Sequence, residues 1–168
     1  MPSEYGNPLN RNGLSQACAL GHALSKVKIH HIYTSPARRA VETASQICLW
    51  TDACNMPIKK SVTPELVEMN YGILEGFNGK IAREKYPDLF KTYYQKPSLT
   101  FFPKGESVAQ AYRRVGFALD EILAAHTCDE NVLIVSHGAV MSFIFIHIFK
   151  LDLDAMFHAI RHHNSGLS

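Results

Sequence analysis

The 168-residue chain has no basic tract, no paired-cysteine motif, no internal repeat and no unbroken apolar run long enough to cross a bilayer. Its longest like-charge neighbours, such as Lys59-Lys60 and Arg113-Arg114, are short, and the formal net charge is only +2. A nucleic-acid-binding protein would show a concentrated basic face, so that class is not expected. Cysteines stand at 18, 48, 54 and 128, with no C-x-x-C spacing and no matched histidine pair, which argues against a zinc site. The opening Met1-Pro-Ser-Glu-Tyr-Gly6 has neither a basic start nor an apolar stretch. With no secretory segment visible, reduced thiols in a cytoplasmic protein are expected. The apolar stretch 132–149 is interrupted by Ser136, His137, Gly138, Ser142 and His147, so no membrane partner is expected.

What is present is globular. Leu, Ile, Val, Phe and Ala are plentiful, and charges are mixed in sign. The length suits one domain over 1–168 that buries a core without staples. Leu14, Ala17, Cys18, Gly21 and Leu24 recur at helical spacing. The segment 27–33 reads as a strand ending at Ser35-Pro36, with a helix through Ala37, Ala40, Val41, Ala44, Ile47 and Cys48. A short extended piece is expected over 58–63, an irregular loop over 65–76, and helical turns from Gly79 punctuated by Pro87 and Pro97. A helix after Lys104-Gly-Glu-Ser107 carries the stripe Val108, Ala111, Tyr112, Val115, Leu119, Ile122 and Leu123. The run 131–135 reads as a strand covered on both faces, followed by a helix near Gly138. Alternating strands and helices predict an α/β fold, a three-layer sandwich with a mostly parallel central sheet. In such sheets ligands sit beyond the carboxyl ends of the strands, where Ser35-Pro36 and His137-Gly138 both fall.

Three polar motifs in order suggest phosphoryl chemistry: Tyr33-Thr-Ser-Pro-Ala-Arg-Arg-Ala40, Leu66-Val-Glu-Met-Asn-Tyr-Gly-Ile-Leu-Glu-Gly76 and Ile134-Val-Ser-His-Gly138. A phosphate monoester needs its oxygens neutralised, a nucleophile on phosphorus and a proton for the leaving oxygen. A guanidinium can fork onto two oxygens, and an arginine in the first turns of a helix lies near that helix's positive end. His137 ends a strand, where an imidazole can project into a cleft and donate hydrogen bonds when protonated. Gly138 allows close backbone approach. Glu68 and Glu75 are both candidates for a general acid. Glu106-Ser107 reads equally well as a helix cap, and Arg114 as a solvated helix charge.

Taken together the motifs resemble the histidine phosphatase superfamily, which includes phosphoglycerate mutase-like enzymes. The matching segments are Pro8-Leu-Asn-x-x-Gly13-x-x-Gln16-Ala17, Ser35-Pro-x-x-Arg39-Ala-x-x-Thr43-Ala44, Leu66-x-Glu68-x-x-x-Gly72-x-x-Glu75-Gly76, Gly105-Glu-Ser107 with Arg114-Val115, and Val135-Ser-His137-Gly138. The resemblance implies a phosphoglycerate mutase-like fold and a small phosphorylated molecule, or phosphate, as ligand. It makes Arg39, rather than Arg38, the phosphate ligand and Glu68 the proton donor. His137 becomes the second histidine, with Ser35 and Gly138 lining the phosphate site. It implies no metal and no other cofactor. Met69 after the acid and Ala139 after His137-Gly138 favour a phosphatase over a mutase, as does the short interval of 69 residues between Glu68 and His137.

The family begins with a strand ending in Arg-His-Gly, whose histidine is the nucleophile, and that tripeptide occurs nowhere in this chain. The first strand is therefore expected to be missing, with a further strand lost after His163-Asn164-Ser165. His22, His30 and His31 lack the motif that would let them replace the nucleophile. His30 and His31 read as strand residues and His162 and His163 as surface. Two functional readings follow. One is a phosphomonoesterase working through a phosphohistidine once the nucleophile is supplied. The other is an inactive relative that binds a phosphorylated ligand or regulates a partner. Loss of a central strand would expose backbone and apolar faces, which predicts homo-oligomerisation, strand exchange or poor solubility.

Overall fold

The computed structural model describes residues 6–51, 58–159 and 166. The expectations for His162, His163 and their neighbours, for Cys54 and for the loop 55–57 fall outside that set. The chain divides into two compact units, Met1–Val67 with Glu121–Gly138 and His162–Ser168, and Glu68–Asp120 with Ala139–Arg161.

The first unit holds a three-stranded parallel sheet in the order β2-β1-β3, with β1 at His31–Thr34, β2 at Lys59–Val62 and β3 at Val132–Val135. Helix α1 (Arg11–Leu24) starts at Asn10, whose side chain accepts the Gly13 N–H at 2.8 Å. Its buried residues Ala17, Gly21 and Leu24 share one face. Helix α2 (Arg38–Thr51) buries Ala40, Ala44, Ile47 and Cys48. Those residues join Leu24, Ile29, Ile32 and Val135 in one core, with Leu20, Ile58 and Leu133 at its margin. The helices meet closely at Gly21, where a Cβ would lie 2.6 Å from Trp50 Cδ1 and 3.0 Å from the Gln46 carbonyl oxygen.

Two expectations need correction here. The strand foreseen from Val27 begins only at His31, because its neighbours start at Lys59 and Val132. Lys28 turns its carbonyl to the Asn131 side chain instead (2.9 Å). The run foreseen as covered on both faces is only half-buried at Val132, Leu133 and Ile134. Its place at the end of the strand order accounts for this.

Side chains alternate along β1. Ile32 points into the apolar core, while His31 and Tyr33 occupy the other face and stack at 4.0 Å. There the Tyr33 hydroxyl meets His126 Nε2 (2.9 Å), His126 Nδ1 meets Glu130 (3.0 Å), and His31 Nε2 meets the Ser61 hydroxyl (2.9 Å). Burial, then the charges of Lys59 and His126, push the His31 pKa down.

The second unit is helical. It contains α3 (Gly79–Lys85), α4 (Pro87–Gln95), most of α5 (Val108–Ala124), nearly all of α6 (Gly138–Phe149) and α7 (Met156–Ala159). Pro87 occupies the first turn of α4, where its missing N–H has no partner to lose. Ser107 caps α5: its hydroxyl accepts the Gln110 N–H (3.1 Å) and Gln110 Oε1 accepts the Ser107 N–H (2.8 Å). The α5 stripe is buried at Val108, Ala111, Val115, Leu119 and Ile122, but Leu123 is exposed and Tyr112 half-buried. Those two lie on the rim, since each helical step rotates a side chain by about 100°. Tyr71, Tyr93, Phe102 and Phe157 form an aromatic core with centroids 4.8–5.2 Å apart along the Tyr71–Phe102, Tyr93–Phe102 and Tyr93–Phe157 contacts. Among the described residues no helix is long and apolar enough to cross a membrane.

Candidate active site

Strands β1 and β3 run in parallel and in register, Thr34 beside Val135. Both therefore leave the sheet at the same end, and the Ser35 N–H still bonds to the Val135 carbonyl (3.0 Å). The next residues, Ser35-Pro36 on one crossover and Ser136-His137 on the other, emerge side by side. Ser136 fixes its crossover by donating to the Leu66 carbonyl (2.7 Å). The Ser35 hydroxyl accepts the Ala37 N–H (3.2 Å), which sets the entry into α2.

Arg39, the second residue of α2, reaches across to the neighbouring crossover. Its Nη2 lies 3.0 Å from His137 Nδ1, and His137 Nε2 lies 2.8 Å from the Ser35 hydroxyl. A guanidinium only donates, so Nδ1 must carry the lone pair and Nε2 the proton. The imidazole is thus neutral and held at both ends. Burial, then the Arg39 charge, push its pKa down to about 4. Gly6 lies against the other side of the guanidinium: a Cβ there would be 3.0 Å from Arg39 Nη1. Gly138 is exposed, with nothing within 4 Å of where its Cβ would stand. The structure therefore gathers Ser35, Arg39 and His137 at one point in the first unit, with Gly138 adjoining. An added proton on Nδ1 would turn His137 from an acceptor of Arg39 into a donor at both ring nitrogens.

His30 and His31 stand at the opposite end of β1, about 13 Å along the strand from Ser35. His30 Nδ1 accepts the Asn131 N–H, and His22 packs edge-on against Trp50.

Glu68 belongs to the second unit. Its Oε1 accepts the Met69 N–H (2.9 Å). Its negative charge adds to the burial that raises the Tyr71 phenol, and helps push the Tyr93 phenol up to about 12. The two hydroxyls lie 3.4 Å apart. The rival acid, Glu75, accepts the Tyr71 N–H (2.9 Å) and closes the turn after Glu68. Glu106 and Arg114 differ from their sequence reading as a cap and a solvated charge. They form a two-pronged ion pair, Nε to Oε1 and Nη2 to Oε2, each 3.0 Å. The sequence signals are their spacing of eight residues, about two helical turns, and their place in the family-like segments Gly105-Glu-Ser107 and Arg114-Val115, and neither points to an ion pair. Among the described residues no group of three or more His, Cys, Asp or Glu could hold a metal ion.

The chain is 31% identical over 145 residues to phosphoserine phosphatase 1 of Hydrogenobacter thermophilus, covering 86% of this chain and 66% of that protein. It is 33% identical over 142 residues to the metal-independent phosphoserine phosphatase of Arabidopsis thaliana, covering 83% and 58% respectively. It thus spans less than two thirds of the length of each. Among solved structures, YhfR of Bacillus stearothermophilus superposes with a TM-score of 0.84 at 28% identity, covering 98% of this chain and 79% of that one. This agrees with the α/β, phosphoglycerate mutase-like expectation. Residues 3–168 match the family model, and the chain belongs to the histidine phosphatase superfamily (branch 1).

Proposed function

We propose that this chain is a phosphatase domain that hydrolyses a small phosphomonoester. The observation that carries the reading is the 3.0 Å approach of Arg39 Nη2 to His137 Nδ1 from two adjoining crossovers. In this reading Arg39 forks onto the phosphoryl oxygens, and His137 takes up a proton and donates to them. Ser35 and Gly138 complete the phosphate-binding wall. Glu68 protonates the leaving alcohol, then activates the water that frees the phosphate. The attack on phosphorus needs a further imidazole, from an Arg-His-Gly segment outside this sequence or from a partner. No metal or other cofactor is required. The phosphoserine phosphatases among the relatives make a small phosphorylated metabolite the class of substrate to try first. A cytoplasmic setting fits the free thiols Cys18 and Cys128.

The test is hydrolysis of an aryl phosphate by the chain alone and by the chain carrying an N-terminal strand that ends in Arg-His-Gly. Turnover in the second form, abolished by Arg39→Ala, is expected. Silence from both ends the hydrolytic reading. A second reading, a phospho-ligand-binding relative without turnover, keeps the Arg39 and His137 pair as an anion site alone. It requires calorimetric binding of phosphate, vanadate or tungstate that Arg39→Ala removes. Self-association by strand exchange accompanies either reading, and a single monomeric species in sedimentation would contradict it.

A further inference from the structure

The carboxylate proposed as the acid stands on a stretch with little regular structure, a single short helical turn at Gly72–Leu74. A side chain on such a loop is placed only as well as its neighbours hold the backbone. Met69, next to Glu68, is buried at 1% exposure. Asn70 follows, and both of its backbone groups bind one residue. Its N–H donates to Glu106 Oε2 (2.9 Å), and its carbonyl accepts the Glu106 N–H (2.9 Å). Its side chain accepts the Gly72 N–H (2.8 Å). A Cβ on Gly105 would come within 2.3 Å of the Asn70 carbonyl oxygen and 2.6 Å of the Gly72 nitrogen. The two loops therefore touch backbone to backbone.

Glu106 is itself held by Arg114, with Nε and Nη2 each 3.0 Å from a separate carboxylate oxygen. Parallel bonds of this kind fix orientation as well as distance. Arg114 stands in the second turn of α5, so the fork connects the loop to a rigid helix. A simpler role, capping α5, is already filled by Ser107 and Gln110. Glu106 Oε2 is directed at the loop amide instead.

We propose that Glu106 and Arg114 are positioning residues for Glu68: through the Arg114–Glu106 fork, α5 sets the Asn70 backbone and with it the approach of the Glu68 carboxyl to the leaving oxygen. This rests on the reading of Glu68 as proton donor. A donor displaced by about 1 Å can lose on the order of 100-fold in rate. The loss falls unevenly, because a leaving group that departs readily as an anion needs little protonation while an alkoxide needs it fully.

The experiment compares Arg114→Ala, Arg114→Lys and Glu106→Gln with the parent on nitrophenyl phosphate and on an alkyl phosphate, in the form that the aryl phosphate assay finds active. Amide hydrogen exchange at Asn70 is followed in the chain alone. Arg114→Ala should lower kcat on the alkyl ester by about 10- to 100-fold with KM nearly unchanged. On the nitrophenyl ester the loss should be only a few-fold, and Asn70 should lose protection. Arg114→Lys, which keeps the charge without the fork, should recover only part. If Arg114→Ala does not fold, Arg114→Lys and Glu106→Gln carry the same comparison. Equal losses on both esters overturn the proposal, as does unchanged exchange at Asn70. If neither form turns over any ester, the hydrolytic reading fails by itself, and the exchange measurement alone decides whether the fork fixes this backbone.

Discussion

Acidification should charge His137 at a cost that the structure lets one work out. The imidazole is 8% exposed, gives its Nε2 proton toward Ser35 and offers its Nδ1 lone pair to Arg39. A proton on Nδ1 would replace that bond with two like charges 3.0 Å apart in a buried setting. The folded pKa is therefore depressed to about 4, against an ordinary 6.5. The unfolded chain takes up the proton first as pH falls. The stabilisation is whole above pH 6.5, declines as pH drops toward 4, and levels off below that. At about 1.4 kcal/mol per pH unit the full gap amounts to about 3 kcal/mol. Urea unfolding of the parent and of His137→Gln at pH 7 and pH 4 would measure it. The parent should lose up to about 3 kcal/mol more between the two pH values than the variant. His31, whose pKa is also lowered by burial, acts in the same direction but is common to both proteins and cancels. Equal pH dependence in the two would refute the argument and with it the neutral, doubly held imidazole.

Two further outcomes follow from local geometry. Gly21→Ala drives a methyl into Trp50 and the α2 backbone, and should destabilise by about 1–3 kcal/mol in thermal or urea unfolding. Ser107→Ala removes the α5 cap and should cost about 1 kcal/mol in the same measurement, while Ser107→Asp should restore most of it.

The two crossovers were more legible in the sequence than the packing. Pro36 after a strand, and Gly138 after another, marked two strand-to-helix crossovers, and parallel pairing of β1 with β3 brings their polar residues together. That inference needs only topology. The limits of the strands depended on neighbours distant in the chain: Val27 to His30 have strand-like composition but stand beyond the starts of β2 and β3. Tyr112 and Leu123 fit a helical stripe by counting, yet sit at its rim, because the count does not reveal how wide the covered face is. The Arg114–Glu106 fork was hidden for another reason. Charged residues on a helix are ordinarily solvated, and only the loop that Glu106 reaches distinguishes this pair.

The seam between α1 and α2 also limits how this chain can change over generations. With Trp50 and the α2 backbone both so near, position 21 acquires a side chain only at a cost in stability. A smaller residue at 50 would relieve only part of this, since the Gln46 carbonyl oxygen and Ile47 Cα would still lie 3.0 and 3.1 Å from a methyl at 21. Drift at position 21 is therefore limited by the course of α2 itself, and exchange of residue 50 alone does not release it.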